Sequence, residues 1–195
     1  MGKTILVQEE IDIPEGVEFN IKGRTITAKG ELGELKKVLP RAPVMYKKIK
    51  KGEGSAIRIR MYYANRLAAT CVGSLTSHIK NAITGVSKGY KFQMKYGYKR
   101  HPMRPVASQD GKSISISLFL GAKDVRTIVA PEGVKIITDE NDKDKRIFVE
   151  GLDVEAVGAT CGKIHQSCIP TGLDRRKFMD GIYLQERLHQ ISEDD

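Results

Sequence analysis

A four-residue string occurs twice in the chain, and each copy opens a similar run of sequence. Residues 14–17 read Pro-Glu-Gly-Val, and residues 131–134 read the same. After each copy, apolar residues at every second position bracket turn-forming residues, which is typical of a β-hairpin. A second shared string, Ala-Thr-Cys, follows at residues 69–71 and again at 159–161. Two matching blocks in the same order predict a duplicated unit, so that the chain folds as two related halves.

Each hairpin is followed by a segment with the apolar spacing of a helix. In the first segment Asn65 is the expected N-cap and Gly85 the expected end, and in the second Asp153 is the expected N-cap. The apolar stripes consist of Ala68, Cys71, Val72, Leu75, Ile79, Ala82, Ile83 and Val86 in the first helix and of Val154, Val157, Cys161, Ile164 and Cys168 in the second.

Further strands are predicted around each hairpin, at residues 34–39, 44–49, 56–62, 113–118 and 125–129. In the strand predicted at residues 56–62, Ile57 and Ile59 alternate with Arg58 and Arg60. This alternation indicates one core face and one cationic face. We therefore predict an α+β fold of two tandem duplicated units, each a small antiparallel sheet packed against one helix. The first domain is expected to span residues 1–86 and the second 87–195.

The positive charge of the chain is confined to its middle third. The whole chain carries a net charge of +9, but residues 36–104 contain 17 basic residues and one acidic residue, Glu53, while the segments on either side are each net negative. A field of one sign over a long segment is expected of a protein that binds a polyanion. The alternative is a solvated basic face that serves solubility alone.

Residues 88–104 combine six Lys and Arg residues with four aromatic residues and no acid. Such cations neutralise phosphates, and aromatic rings can stack on bases. The alternative is that Tyr90, Phe92, Met94 and Tyr96 are the inward positions of a strand, which leaves the loop at 98–104 for direct contact. The candidate RNA-binding residues here are Lys88, Lys91, Lys95, Tyr98, Lys99, Arg100, His101 and Arg104.

A second cluster, at residues 172–183, places three successive cations between loop glycines in an otherwise acidic third of the chain. Arginine can engage two phosphate oxygens at once, so such a loop suits a phosphate clamp. The alternative is a surface turn in which Arg175 pairs with Asp174 or Asp180. The candidate residues are Gly172, Arg175, Arg176 and Lys177.

Signals for catalysis are weak, and we predict no enzymatic activity, no metal and no cofactor. Cys161, His165 and Cys168 share one helix face, but no fourth zinc ligand accompanies them, so core packing is favoured. Residues 158–164 are one residue short of a phosphate-binding loop and are predicted to lie inside a helix. No stretch approaches the roughly 20 apolar residues of a membrane span. The three sparse cysteines fit reduced thiols in the cytosol.

Three strings carry a resemblance to a known family: Ile-Asp-Ile-Pro-Glu-Gly-Val at 11–17, Ile-Thr-Gly-Val-Ser-Lys-Gly-Tyr at 83–90, and Arg-Lys-Phe-Met-Asp-Gly-Ile-Tyr at 176–183. Together they closely resemble the universal large-subunit ribosomal protein family numbered sixth in the bacterial naming and ninth in the eukaryotic naming. The match covers nearly the whole chain, and the last string resembles the eukaryotic branch.

The resemblance implies a structural constituent of the large ribosomal subunit that binds rRNA near the factor-binding site for translational GTPases, mainly through the second domain. Its implied partners are large-subunit rRNA and neighbouring ribosomal proteins, with no membrane, and it would be a monomer within the cytoplasmic ribosome. Carried over by position, its rRNA contacts would be the two basic clusters described above. The alternative is a free-standing RNA-binding assembly or regulatory factor.

Overall fold

The computed structural model describes residues 4–51, 54–138 and 145–190. The chain divides into two compact units, Met1–Ser87 and Lys88–Asp195. Each unit combines one α-helix with antiparallel strands, which confirms the predicted α+β class. The structure adds one feature to that prediction, because each unit contains two small sheets. No helix in the described ranges is both long and apolar enough to cross a membrane.

The first unit consists of six strands followed by a long helix. One sheet has the strand order β1-β6-β5 and the other has the order β2-β3-β4. The elements are β1 (Thr4–Ile13), β2 (Glu18–Lys22), β3 (Thr25–Gly30), β4 (Gly33–Val38), β5 (Met45–Lys51), β6 (Gly54–Ala64) and α1 (Arg66–Ser87). The predicted two-faced strand is confirmed in β6: Ile57 and Ile59 are buried, whereas Arg58 is partly exposed and pairs with Glu10 at 2.7 Å between Nε and Oε1.

The second unit has a four-stranded sheet of order β11-β12-β7-β13 and a three-stranded sheet of order β10-β9-β8. Helix α2 contacts the four-stranded sheet and buries Val157, Cys161 and Ile164. The elements are β7 (Tyr90–Gly97), β8 (Arg104–Ala107), β9 (Ser113–Ser117), a 3₁₀ turn (Phe119–Gly121), β10 (Arg126–Val129), β11 (Val134–Thr138), β12 (Arg146–Gly151), α2 (Val154–Ser167) and β13 (Gly181–Leu188). The polar turn predicted at residues 139–144 of the second hairpin lies outside the described residues.

The duplication is visible in the topology of the two units. In the first, the β5–β6 hairpin precedes α1 and pairs with β1, and the β2-β3-β4 sheet lies between β1 and that hairpin in sequence. In the second, the β11–β12 hairpin precedes α2 and pairs with β7, and the strands of the other three-stranded sheet lie between them in sequence. The two units therefore share one order of elements.

The repeated strings do not mark equivalent positions within that order, so the correspondence inferred from them is wrong. The first Pro-Glu-Gly-Val precedes β2 of the smaller sheet, whereas the second precedes β11 of the main hairpin. Both copies form the same local turn, with φ of 81° at Gly16 and 80° at Gly133, and such a turn suits the start of any hairpin. The Ala-Thr-Cys strings also differ in environment, since Cys71 is exposed and Cys161 is buried.

The predicted helix starts are confirmed and the predicted end of the first helix is wrong. Asn65 Oδ1 accepts a hydrogen bond from the Ala68 N–H at 2.8 Å, and the Asp153 carboxylate caps α2 in the same way. Helix α1 continues past Gly85 because Val86 extends its buried face and is fully buried. The glycine that adopts a left-handed conformation after the helix is Gly89, with a φ of 67°.

The environments of the three free thiols predict that the exposed thiol reacts faster than the two buried ones. Cys71 is exposed, whereas Cys161 and Cys168 are buried. Burial raises the pKa of Cys168 and raises the pKa of Cys161 from 9.0 to about 11. Because the thiolate is the reactive form, the raised pKa values and the burial of Cys161 and Cys168 both slow their reaction at pH 8.

Titration of the native chain with a thiol-reactive chromophore at pH 8 is expected to give one fast equivalent, from Cys71, and two more only after unfolding. The variant Cys71→Ser provides the control, and its fast phase should disappear. Two or three fast equivalents in the native chain would contradict the buried placement of the other thiols.

Candidate nucleic-acid interface

The two basic segments found in the sequence meet at one end of the four-stranded sheet. Strands β7 and β13 are antiparallel neighbours, and Gly181 at the start of β13 pairs with Gly97 at the end of β7. In an antiparallel pair, the chain that leaves one strand lies beside the chain that enters the other. The loop at 98–103 and the loop at 171–180 are therefore adjacent.

A buried carboxylate connects the two loops. Asp180 is only 8% exposed, and its Oδ1 accepts a hydrogen bond from the Lys99 backbone N–H at 2.9 Å. A hydrogen bond to a charged acceptor contributes about 1.5–3 kcal/mol, and a buried carboxylate without such a donor would be costly. Asp180 thus fixes the position of the first loop relative to the second.

The first basic segment divides into residues that face solvent and residues that engage the protein. Lys91 is half-buried and pairs with Glu150 at 3.0 Å, and the Lys88 carbonyl accepts a hydrogen bond from the Gln190 N–H at 3.1 Å. Tyr98 is half-buried, with Lys145 Nζ 3.7 Å from its ring centroid. The exposed candidates are Lys95, Lys99, Arg100, His101 and Arg104.

The aromatic residues of this segment serve the core, as the alternative interpretation predicts. Tyr90, Phe92 and Met94 on β7 are each no more than 7% exposed. Tyr96 is half-buried and packs against the same cluster. The Tyr90 and Phe92 rings are therefore closed to a polynucleotide, and contacts made by residues 88–104 are left to the cations, to the end of β7 and to the loop that follows it.

The second loop presents its three cations to solvent. Asp174 organises the turn, because its Oδ1 accepts from the Arg176 N–H and its carbonyl accepts from the Lys177 and Phe178 N–H groups, at 2.9 to 3.1 Å. Across the described ranges, Arg175 forms no ion pair with Asp174 or Asp180, so the alternative of an ion-paired turn is wrong. The segment is also shorter than predicted, since Gly181 already belongs to β13.

We call the exposed Lys, Arg and His side chains of both loops and of the adjoining strand ends the two-loop surface. Gly172, with a φ of 74°, lies in the turn that begins the second loop. The sequence indicates Asp180 only as an ion-pair partner of Arg175, and it does not single out Tyr183. No local pattern shows that Asp180 accepts from Lys99 or that Tyr183 lines a groove. The members of the two-loop surface are Lys95, Lys99, Arg100, His101, Arg104, Arg175, Arg176 and Lys177.

The remaining candidates for chemistry have structural roles. Cys161 and Cys168 belong to the core of the second unit, and His165 Nδ1 donates to the Ile182 carbonyl at 2.7 Å. Within the part of the chain that the structure describes, no three His, Cys, Asp or Glu side chains are grouped so as to hold a metal ion. Residues 158–164 lie inside α2, as predicted, and do not form a loop.

Comparison with known proteins gives consistent matches along the chain. Residues 13–89 match the family model described as Ribosomal protein L6. The large ribosomal subunit protein uL6 of Tetrahymena thermophila is 35% identical over 97% of this chain and 98% of its own length. The corresponding proteins of Candida albicans and Ignicoccus hospitalis are 38% and 33% identical, over 95% and 96% of this chain and 96% and 98% of their own lengths.

Proposed function

The chain belongs to the ribosomal protein L6 family, and from this membership we propose that it is a structural constituent of the large ribosomal subunit. As a member of that family it is a structural protein and not an enzyme. The relatives that cover almost all of this chain are named as large-subunit proteins in a ciliate, a yeast and an archaeon. Its location would accordingly be the cytoplasmic ribosome.

In this proposal the two-loop surface binds large-subunit rRNA. The observation that carries the proposal is the convergence of two basic loops, distant in sequence, at one end of the second unit, where Asp180 ties them together. Lysine and arginine bind RNA by neutralising phosphates and releasing counterions. Arginine adds bidentate geometry, which fixes orientation as well as affinity. Lys91 and Tyr98, whose side chains contact protein groups, and the half-buried Lys88 contribute less to this surface.

A second proposal concerns the position of the chain on the large ribosomal subunit. We propose that the second unit attaches to rRNA near the site that engages translational GTPases, with neighbouring ribosomal proteins as its other partners. The family resemblance suggests that position, and the location of every member of the two-loop surface within Lys88–Asp195 supports attachment through the second unit.

The binding mechanism predicts a steep dependence on salt. We expect the affinity of the purified chain for transcribed large-subunit rRNA to fall linearly with salt on a double logarithmic plot. Each phosphate contact should contribute a slope of roughly −0.7 to −0.9, so a surface that uses four or more cations gives a slope steeper than about −3. Filter binding between 50 and 300 mM salt measures it, and an affinity that does not change with salt would contradict the mechanism.

A density gradient separates this proposal from the free-standing RNA-binding factor. A structural constituent migrates with the large-subunit peak in a cell extract and stays there at physiological salt. A regulatory or assembly factor is instead found mainly in slowly sedimenting fractions. The latter distribution would overturn the proposal while leaving RNA binding intact.

A further inference from the structure

A groove lies beside the two-loop surface, between the end of β7 and the start of β13. It is open to solvent and has a volume of about 320 Å³, at the lower end of the roughly 300–1,000 Å³ of pockets that hold small molecules. The residues that line it include Lys95, Tyr96, Gly97, Met179, Tyr183 and Leu184.

The wall of this groove is apolar and exposed. Met179 is 69% exposed, Tyr183 44% and Leu184 39%, so three large apolar side chains lie together in contact with water. Exposed apolar groups that are contiguous and rimmed by polar residues indicate a binding surface. They stay exposed because they lie on β13, an edge strand, and on the loop that enters it.

The ring of Tyr183 is held in place before any ligand binds. Its hydroxyl donates to the Met179 carbonyl at 3.3 Å, and its ring lies 5.4 Å from the His165 ring on α2, centroid to centroid. His165 is itself fixed by its hydrogen bond to the Ile182 carbonyl. A fixed aromatic face loses little conformational entropy when a flat ligand stacks on it.

We propose that this groove binds one unpaired nucleobase of the large-subunit rRNA, an inference that rests on the proposed function. A nucleobase offers the flat apolar face that Tyr183 and Met179 can cover, and Lys95 at the groove can meet its phosphate. The two-loop surface carries cations on both neighbouring loops, which favours a polyanion over an apolar protein segment. Specific recognition of RNA commonly uses unstacked bases on aromatic side chains.

The inference is tested with two variants that act on the groove in different ways. Tyr183→Ala removes the stacking face, and Gly97→Leu fills the groove. A Cβ built on Gly97 meets no atom within 4 Å, so a side chain can be introduced there without a clash at its first carbon. We expect each variant to bind transcribed large-subunit rRNA about tenfold more weakly than the unaltered chain, because base stacking on an aromatic ring contributes on this scale.

Two further variants serve as controls. Tyr183→Phe keeps the ring and loses only the hydroxyl that donates to the Met179 carbonyl, so we expect its affinity to fall less than that of Tyr183→Ala. Tyr62→Ala removes a tyrosine of similar exposure, 47%, from the first unit, and it should bind normally. The salt slope should be unchanged in all four variants, because none of them removes a phosphate contact.

The outcomes separate this inference from the proposed function. If the unaltered chain binds rRNA with a steep salt slope but Tyr183→Ala and Gly97→Leu bind equally well, the nucleobase site is wrong and the rRNA-binding function stands. If the unaltered chain shows no salt-dependent binding, the proposed function itself fails. Photo-crosslinking of large subunits containing 4-thiouridine should join rRNA to the peptide that carries Met179 and Tyr183, and exclusive crosslinking of that peptide to a protein would overturn the inference.

Discussion

The variant Arg175→Ala, Arg176→Ala, Lys177→Ala is expected to bind large-subunit rRNA roughly 100- to 1,000-fold more weakly at 0.1 M salt, with a salt slope shallower by about 2 to 3. Each lost phosphate contact removes about 0.7–0.9 from the slope, and near 0.1 M salt that corresponds to between fivefold and tenfold in affinity. The loop is exposed from Thr171 to Met179, so the three substitutions leave the core intact. Filter binding over a salt series measures both quantities, and density gradients measure incorporation into subunits.

A control of equal charge distinguishes contact from overall charge. Lys22, Lys29 and Lys36 are exposed cations on strands of the first unit, and their combined replacement by alanine changes the net charge by the same amount. We expect the control to keep nearly the full salt slope. Equal losses in the two triple variants would mean that overall charge, and not the second loop, determines binding.

The variant Asp180→Ala is expected to destabilise the second unit by about 1.5–3 kcal/mol and to weaken rRNA binding as well. The substitution removes the acceptor of the Lys99 N–H and leaves that donor without its partner in a partly buried site. Without the tie, the loop at 98–103 is no longer fixed beside the loop at 171–180. Urea-induced unfolding gives the loss of stability, and binding to transcribed rRNA gives the loss of affinity.

Asp180→Asn is the matched variant, because its amide oxygen can still accept the Lys99 N–H. We expect it to retain most of the stability and most of the affinity. If Asp180→Ala binds rRNA as tightly as the unaltered chain while unfolding earlier, the carboxylate stabilises the fold without organising the interface. That result would mean that the hydrogen bond between Asp180 and the Lys99 N–H does not position the two loops for RNA binding.

Local patterns in the sequence predict much of the fold. The hairpins of β2–β3 and β11–β12, the caps at Asn65 and Asp153, and the two-faced strand β6 depend on spacing within a few residues, and all are confirmed. The repeated Pro-Glu-Gly-Val string predicts two units. Because the string specifies only a local turn, it does not show which hairpin of each unit follows it. Equivalence between the units follows only from strand order.

The strands that the sequence did not predict lack an alternating pattern of apolar residues along their length. In β13 only the first two residues, Gly181 and Ile182, are buried, because it is an edge strand. In β1 only Ile11 and Ile13 are buried, and acidic residues occupy intervening and preceding positions. A period of two is the main signal for a strand, so edge strands such as these are hard to predict from the sequence.

The candidate site, like the edge strands, is only partly predictable from local sequence patterns. Charge counting identifies both basic clusters, and alternation predicts that Tyr90 and Phe92 face the core, as they do. The meeting of the clusters depends on the pairing of β7 with β13 and on a hydrogen bond between residues 81 positions apart, which no local pattern encodes. The groove at Tyr183 exists only because of that pairing.

Lysine acetylation footprinting of intact large subunits, compared with the free chain, tests most directly whether the two-loop surface binds rRNA as one unit. Lys95, Lys99 and Lys177 are exposed in the chain and lie on both sides of the β7–β13 pair. We predict that all three react in the free chain, are protected in the subunit, and regain reactivity together after the rRNA is digested. If they stay reactive in the subunit while lysines of the first unit become protected, the second unit does not bind rRNA through this surface.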